Sequence, residues 1–440
     1  MLLGFDIATW SILILVAMVG LLVVGVPLAF TTGAIAVALC LLLYGPQSLY
    51  LIGSRTFGFL DSYALVAVPF FIFMASILER SGLARELYDA IRVWTGRTIG
   101  GAANVTTLFA IVIGAIIGVA GGEMVLLGLV ALPQLLRLGY DKKLSIGLVC
   151  ATGALGSMIP PALTLVFFGL AAGADIGDLF TASFIPGLMM AAIFIGYVQV
   201  RIRLNPSLAP VADEGPPLSF RHKFDRSKGV VLPLAVLLST LGSIYLGVAS
   251  VTESASVGAF GTVLAVAWRG ELTWTLMRAA VNQTMAACGM VLWLVIGTNA
   301  LVGVYTIMGG IDFSRALLTG LPVPPFAVLV LMIAVWVFLG FFIDWIAILL
   351  LTVPIFMPAV KTFGYDPIWV GILFNMAVQI GYLTPPFAPA CFFIKGVTPP
   401  EITMEEIFAA MWPFIGLQIV ALALVLLFPQ IALWLPRALS

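Results

Sequence analysis

Charge is what this chain has least of. Of 440 residues only 9% are charged and 62% are hydrophobic, against roughly a quarter charged in an ordinary soluble domain. Lys plus Arg equals Asp plus Glu, 20 each, so there is no basic footprint for nucleic acid. A single histidine, His222, lies in the most polar stretch, which offers no proton relay through apolar segments. Four cysteines, Cys40, Cys150, Cys288 and Cys391, stand singly inside apolar runs with no C-x-x-C spacing. That distribution argues against disulfide, redox or metal roles and reads as buried thiols. No Lys or Arg occurs before Arg55, so the first apolar segment lacks the basic flank of a cleavable signal and is expected to be retained. There is no G-x-x-x-x-G-K-[ST] loop, no H-E-x-x-H and no G-x-S-x-G, which removes the common routes to nucleotide hydrolysis and intramembrane hydrolysis. An enzyme is not expected.

What the chain does have is apolar length. A helix crossing the hydrocarbon core needs about 20 mostly apolar residues. Such segments fall near 8–26, 28–44, 62–79, 101–119, 123–136, 144–173, 178–200, 229–248, 252–268, 284–308, 324–342, 346–360, 367–394 and 405–434. About ten full spans are expected, in an all-α polytopic membrane protein. One long hydrophilic connection, 204–228, carries Pro206, Pro210, Pro216, Pro217 and the cations Arg221, Lys223, Arg226 and Lys228. It divides the chain into 1–203 and 229–440.

The halves repeat. A displacement of 225 positions aligns Pro133 with Pro358, Gly139-Tyr140-Asp141 with Gly364-Tyr365-Asp366, Gly156 with Gly381, Pro160-Pro161 with Pro385-Pro386, and Phe167-Phe168 with Phe392-Phe393, without a gap. Chance similarity between apolar segments matches Leu and Val; matches of Gly, Pro, Tyr and Asp at fixed spacing indicate duplication. If 204–228 is cytoplasmic, tracing the spans both ways puts 16 of the 20 basic residues inside and leaves Arg55, Arg315, Lys361 and Arg437 outside, the bias expected of cytoplasmic loops. The second half then runs upside down. Each half is expected to hold about five transmembrane helices, one re-entrant hairpin and one discontinuous helix, and inverted repeats of this kind mark secondary transporters.

The segments that carry chemistry are the interruptions. Residues 151–161 contain Gly156 and end in Pro160-Pro161; residues 376–386 contain Gly381 and end in Pro385-Pro386. Proline removes a backbone donor and pushes its predecessor out of helical geometry, so both helices must open. Freed carbonyls cannot face lipid, and a desolvated cation is one partner for them; packing kinks are the plainer alternative. Before each break lies a paired segment, one turning near Gly118–Glu123, the other near Gly340–Asp344. Acidic residues at membrane depth are costly and usually functional, which singles out Asp344 and Glu123 as substrate-binding candidates. Glu123 is also placed to cap the second arm of its hairpin. Thr152, Ser157, Asn375 and Gln379, polar groups beside the breaks, are further substrate-binding candidates, with interhelical hydrogen bonding as their plainer use. Glu253 reads as a helix-start residue.

These residues resemble the large membrane subunit of the tripartite ATP-independent periplasmic (TRAP) transporters, within the ion transporter superfamily. The likeness runs through Val24–Phe30, Leu60–Ser62, Ser81-Gly82, Leu138–Lys142, Leu155–Pro161, Ile185–Gly187, Thr252-Glu253 and Leu383–Pro386, nearly the whole chain. The resemblance implies sodium-coupled uptake of a small organic anion, a carboxylate, across the bacterial inner membrane by an elevator motion. It implies sodium ions as the coupling ion, held mostly by backbone carbonyls at Gly156, Ile159 and Pro161 and at Gly340, Gly381, Thr384 and Phe387. No organic cofactor is implied. Implied partners are a separate small membrane subunit of about four spans and a periplasmic substrate-binding protein. The chain departs from the family at the first hairpin tip, where Ile117-Gly118-Val119-Ala120 replaces a common Ser-Gly-Ser-Ser, and before the seventh span, where Ser250-Val251-Thr252-Glu253 replaces Thr-Pro-Thr-Glu.

Overall fold

The computed structural model describes residues 5–95, 98, 100–118, 121–209, 223, 231–386 and 388–439. The expectations on Val119, Ala120, His222, Arg221, Arg226, Lys228 and Phe387 lie outside those residues. Within them every regular element is helical. In the first half α1 (Ile7–Val23), α2 (Leu28–Tyr44), α3 (Leu49–Leu60) and α4 (Ala67–Arg80) are followed by α5 (Leu83–Thr95). Two arms, α6 (Gly101–Ile117) and α7 (Gly122–Arg137), precede an interrupted helix of α8 (Lys142–Leu155) and α9 (Leu163–Ala172), and α10 (Ile176–Leu204) closes the half. The second half comprises α11 (Val231–Tyr245), α12 (Val251–Trp268), α13 (Trp274–Ile307) and α14 (Gly310–Thr319). Its arms are α15 (Pro325–Leu339) and α16 (Trp345–Thr362), its interrupted helix α17 (Pro367–Leu383) with α18 (Pro389–Lys395), and its last helices α19 (Met404–Leu427) and α20 (Gln430–Leu439).

The element starts keep step with the displacement read from the sequence. Asp141 N-caps α8, accepting from the Leu144 amide at 2.9 Å, and Asp366 N-caps α17, accepting from the Ile368 amide at 2.9 Å. Both Pro-Pro peptides are cis. The halves differ where Asp61-Ser62 and a 3-10 turn, Tyr63–Val66, divide α3 from α4, whereas α13 runs unbroken for 34 residues, a length of about 51 Å.

Length separates these helices into two kinds. Among the described residues six helices are long and apolar enough to cross a membrane, and the α8–α9 pair, bent by 42° at its break, makes a seventh. The expected ten spans are reduced because α1, α2, α6, α15 and α17 stop at 15–17 residues. Three shorter helices, α3, α5 and α14, fall outside the expected apolar runs. In α5, Leu83, Ala84, Leu87, Tyr88 and Ala90 are buried while Arg85 and Asp89 are exposed, the single apolar stripe of a helix lying along the protein surface. Its charged residues hide it from a search for continuous hydrophobicity. Its counterpart α14 carries Asp312 and Arg315 in a 3.0 Å ion pair.

Small residues set the close crossings. Gly297 of α13 faces the Ala29 carbonyl and the Thr32 hydroxyl of α2, and Gly147 of α8 faces the Ala410 carbonyl and the Phe414 ring of α19; a Cβ at either would overlap its neighbour. With lipid outside as apolar as the core, such van der Waals fit holds membrane helices together. The buried apolar residues form two clusters: a large one around the hairpins and interrupted helices, and a small one joining Trp10 of α1, Ile35 and Leu39 of α2, and Leu301, Val304 and Met308 at the α13 end. All four cysteines are free, three buried and Cys288 half-buried, as expected of thiols used for packing.

Candidate functional site

The two interruptions come together. After Leu155 the first chain tightens into a 3-10 turn, Gly156–Met158, and then extends through Ile159 to Ala162. The Ile159 amide donates back to the Gly156 carbonyl at 3.1 Å. The tip of the first hairpin closes on this break: the Leu163 amide donates to the Gly118 carbonyl at 3.1 Å. Gly118 adopts φ 58°, a left-handed conformation that favours glycine, and a Cβ there would run into the Pro161 carbonyl oxygen. One turn earlier, Gly114 lies directly on the Gly156 Cα. The expected residues Gly156, Ile159 and Pro161 are therefore gathered around one hairpin tip.

The second break repeats the arrangement with different side chains. Gly340 and Gly381 face each other so closely that a Cβ on Gly381 would sit 2.6 Å from the Gly340 Cα. Thr384 leaves the helix in extended geometry; its amide donates to the Gly381 carbonyl at 3.1 Å and its hydroxyl to the Ile380 carbonyl at 2.6 Å. Asp344 is the N-cap of α16, accepting from the Ile346 amide at 3.1 Å. It therefore has a structural partner, one that uses only part of a carboxylate's four-site acceptor capacity.

Polar side chains tie one break to the other. Asn375 Nδ2 donates to the Ser157 carbonyl at 3.0 Å and lies 3.4 Å from Met158 Sδ, while Gln379 Nε2 donates to Ser157 Oγ at 3.0 Å. The interhelical use anticipated for Ser157, Asn375 and Gln379 is thus real, but it is incomplete: Asn375 Oδ1 and Gln379 Oε1 are buried with no hydrogen-bond partner among the described residues. Thr152 is spent on its own helix, its hydroxyl donating to the Leu148 carbonyl at 2.7 Å, so it is not brought to the breaks as a free group.

Glu123 departs most from expectation. The capping role is not realised: α7 has no side-chain cap bond, and both Glu123 oxygens lack a partner among the described residues while the residue is only 1% exposed. The carboxylate lies against Gly156, where any Cβ would overlap it. Tyr382 was missed by the sequence reading. Its hydroxyl is buried, has no partner among the described residues, and lies about 3.6 Å from where a Cβ on Gly121 would stand. The available signal was its position: Tyr382 is the repeat counterpart of Ser157. Glu253, by contrast, does what its sequence suggested, completing a capping box with Ser250.

The site is thus built from oxygens: break carbonyls, one threonine hydroxyl, two side-chain amides, a tyrosine and two carboxylates. Helices α7, α9 and α16 begin beside these residues, at Gly122, Leu163 and Trp345. Such a set suits a hard cation, and helix amino ends favour an anion. Among the described residues no cluster of His, Cys, Asp and Glu fits a transition metal.

A polytopic helical membrane protein with two apposed breaks is the architecture of a carrier, and the comparisons agree. Residues 15–431 match the family described as tripartite ATP-independent periplasmic transporter, DctM component, and the chain belongs to it. It is 27% identical over 403 residues to the C4-dicarboxylate TRAP transporter large permease protein DctM of Pseudomonas aeruginosa, covering 91% of this chain and 92% of that one. It is 29% identical over 427 residues to the ectoine large permease TeaC of Halomonas elongata, covering 95% and 97%, and 26% identical to the sialic acid large permease SiaM of Vibrio cholerae, covering 95% and 96%. In fold it is similar to the YdaH transporter of Alcanivorax borkumensis, with a TM-score of 0.69 over 90% of this chain and 95% of that one, at 15% identity. The chain is a transporter permease and not an enzyme.

Proposed function

We propose that this large permease takes up a small organic anion, a carboxylate, across the bacterial inner membrane in symport with sodium. The observation that carries the reading is the pair of glycine-sealed junctions, Gly114 and Gly118 on the first break and Gly340 on the second. Each presents backbone oxygens in a protein-lined interior, where irregular backbone is tolerated at membrane depth. Sodium is assigned to Gly156, Ile159 and Pro161 at one junction and to Gly340, Gly381, Thr384 and Phe387 at the other. The cargo is read as an anion because the amino end of α9, which carries no carboxylate of its own, favours negative charge. Asp344, Ser157, Asn375 and Gln379 are assigned to the substrate's remaining polar groups, with Asp344 and the free amide oxygens accepting from its hydroxyl or amine donors.

The two halves, 1–203 and 229–440, are read as inverted repeats joined by a cytoplasmic linker at 204–228. Hairpins and interrupted helices form the moving body of an elevator, and the separate cluster of α1, α2 and α13 belongs to the scaffold. Relatives named for C4-dicarboxylate, ectoine and sialic acid support a small organic cargo. The tripartite family description supports a separate small membrane subunit of about four spans and a periplasmic binding protein. A relative carrying the combined name DctMQ supports close association of the two membrane subunits.

The test is uptake into proteoliposomes containing this chain and its small partner, with binding protein and labelled carboxylate outside. Uptake that saturates, requires an inward sodium gradient and ceases without the binding protein is expected. Uptake indifferent to sodium would overturn the coupling, and full uptake without the binding protein would overturn the tripartite reading.

A further inference from the structure

Resting on the sodium reading above, we propose that the Glu123 carboxylate is a direct ligand of the cation at the first break, so that this site carries its own negative charge while the second is built from neutral oxygens. Three observations carry it. Glu123 is 1% exposed, and neither of its oxygens has a partner among the described residues. An isolated ionised carboxylate in a dry interior is among the most costly groups a protein can bury, so such a group takes up a proton, is paired or coordinates a metal ion, and a cation site at the same junction supplies the last of these. Second, the carboxylate lies on the Cα of Gly156, the glycine at which α8 gives way to the 3-10 turn, and at the same break Gly118 meets the Pro161 carbonyl. Third, the second junction has no counterpart: the position 225 residues on is Ile348, and Asp344, the acidic residue nearest that junction in sequence, is occupied as an N-cap.

The charge asymmetry has a chemical consequence. A carboxylate so placed repels an organic anion and attracts a cation, so Glu123 moves from the substrate side of the site to the ion side. A first site of one carboxylate and backbone carbonyls is charge-neutral when filled with a monovalent cation. A second site of carbonyls and the Thr384 hydroxyl keeps the cation's full charge. Opposite charge in a low-dielectric surround outweighs any single carbonyl ligand, so the first site is the tighter of the two.

The experiment is sodium binding to the purified full chain, read directly with labelled sodium and independently as sodium-dependent thermal stabilisation, without reference to transport. Wild type is expected to show a tighter and a weaker component. Glu123→Gln, which keeps shape and removes charge, is expected to weaken the tighter component by about tenfold or more, leave the weaker one in place, and so report that the variant is folded. Glu123→Asp restores part of the loss. Unchanged tight binding in Glu123→Gln overturns the inference while leaving sodium coupling intact; no sodium binding by wild type overturns both. Should Glu123→Gln not fold, the infrared difference spectrum of wild type on sodium addition decides: a shifted carboxylate stretch supports ligation, and none overturns it.

Discussion

The sharpest single perturbation of the junctions is Gly381→Ala. A Cβ at that position would lie 2.6 Å from the Gly340 Cα, 3.0 Å from its carbonyl carbon and 3.2 Å from its oxygen, whereas carbon atoms rest at about 3.5–4.0 Å. The hairpin tip and the break must therefore separate by about 1 Å. Both contacts are backbone, so no side chain can rotate away. Overpacking of this kind costs roughly 1–3 kcal/mol. Where the deformed element is also the ion site, the same energy appears as an increase of about 5- to 150-fold in the sodium concentration for half-maximal uptake. The assay is a sodium titration of initial uptake rates in proteoliposomes, with Gly416→Ala in α19 as control, since a Cβ there meets nothing within 4 Å. An unchanged titration in Gly381→Ala, with normal folding, would refute the assignment of the second cation to this junction.

Asp344→Asn is expected to abolish or strongly slow transport while shifting the melting temperature little, because asparagine caps a helix about as well as aspartate; wild-type uptake would remove Asp344 from the site. Acid should loosen the contact between α5 and the turn after α12. There Arg269 donates to Glu86 at 2.7 and 2.5 Å and to Glu271 at 3.1 and 2.8 Å, and the Arg269 guanidinium holds the Glu86 carboxyl below its usual range. With a depressed folded value, its contribution is complete above the ordinary glutamate range and is lost as pH falls through that depressed value. It is small, because Glu86 is 45% exposed. Thermal melts against pH should flatten on the acid side in Glu86→Gln, and an unaltered acid slope would show that the cluster does not contribute.

Much of this protein was legible before any coordinate. Lipid solvation forces long apolar helices, so composition alone sets the class. Proline and glycine act through local sterics, so both helix breaks could be read from residue identity. Capping is local too, which is why Glu253 stands at a helix start as its neighbours suggest. What local chemistry does not contain is who faces whom. Span length was overestimated because an apolar run does not say where a helix ends. The surface helix α5 was passed over because an amphipathic stripe is not a run. That Thr152 turns to its own backbone while Asn375 and Gln379 reach 218 and 222 positions away to Ser157 depends on how two interrupted helices cross. The same holds for Glu123: in sequence it is a plausible cap, and only the packing of Gly156 against it leaves a buried carboxylate without a partner.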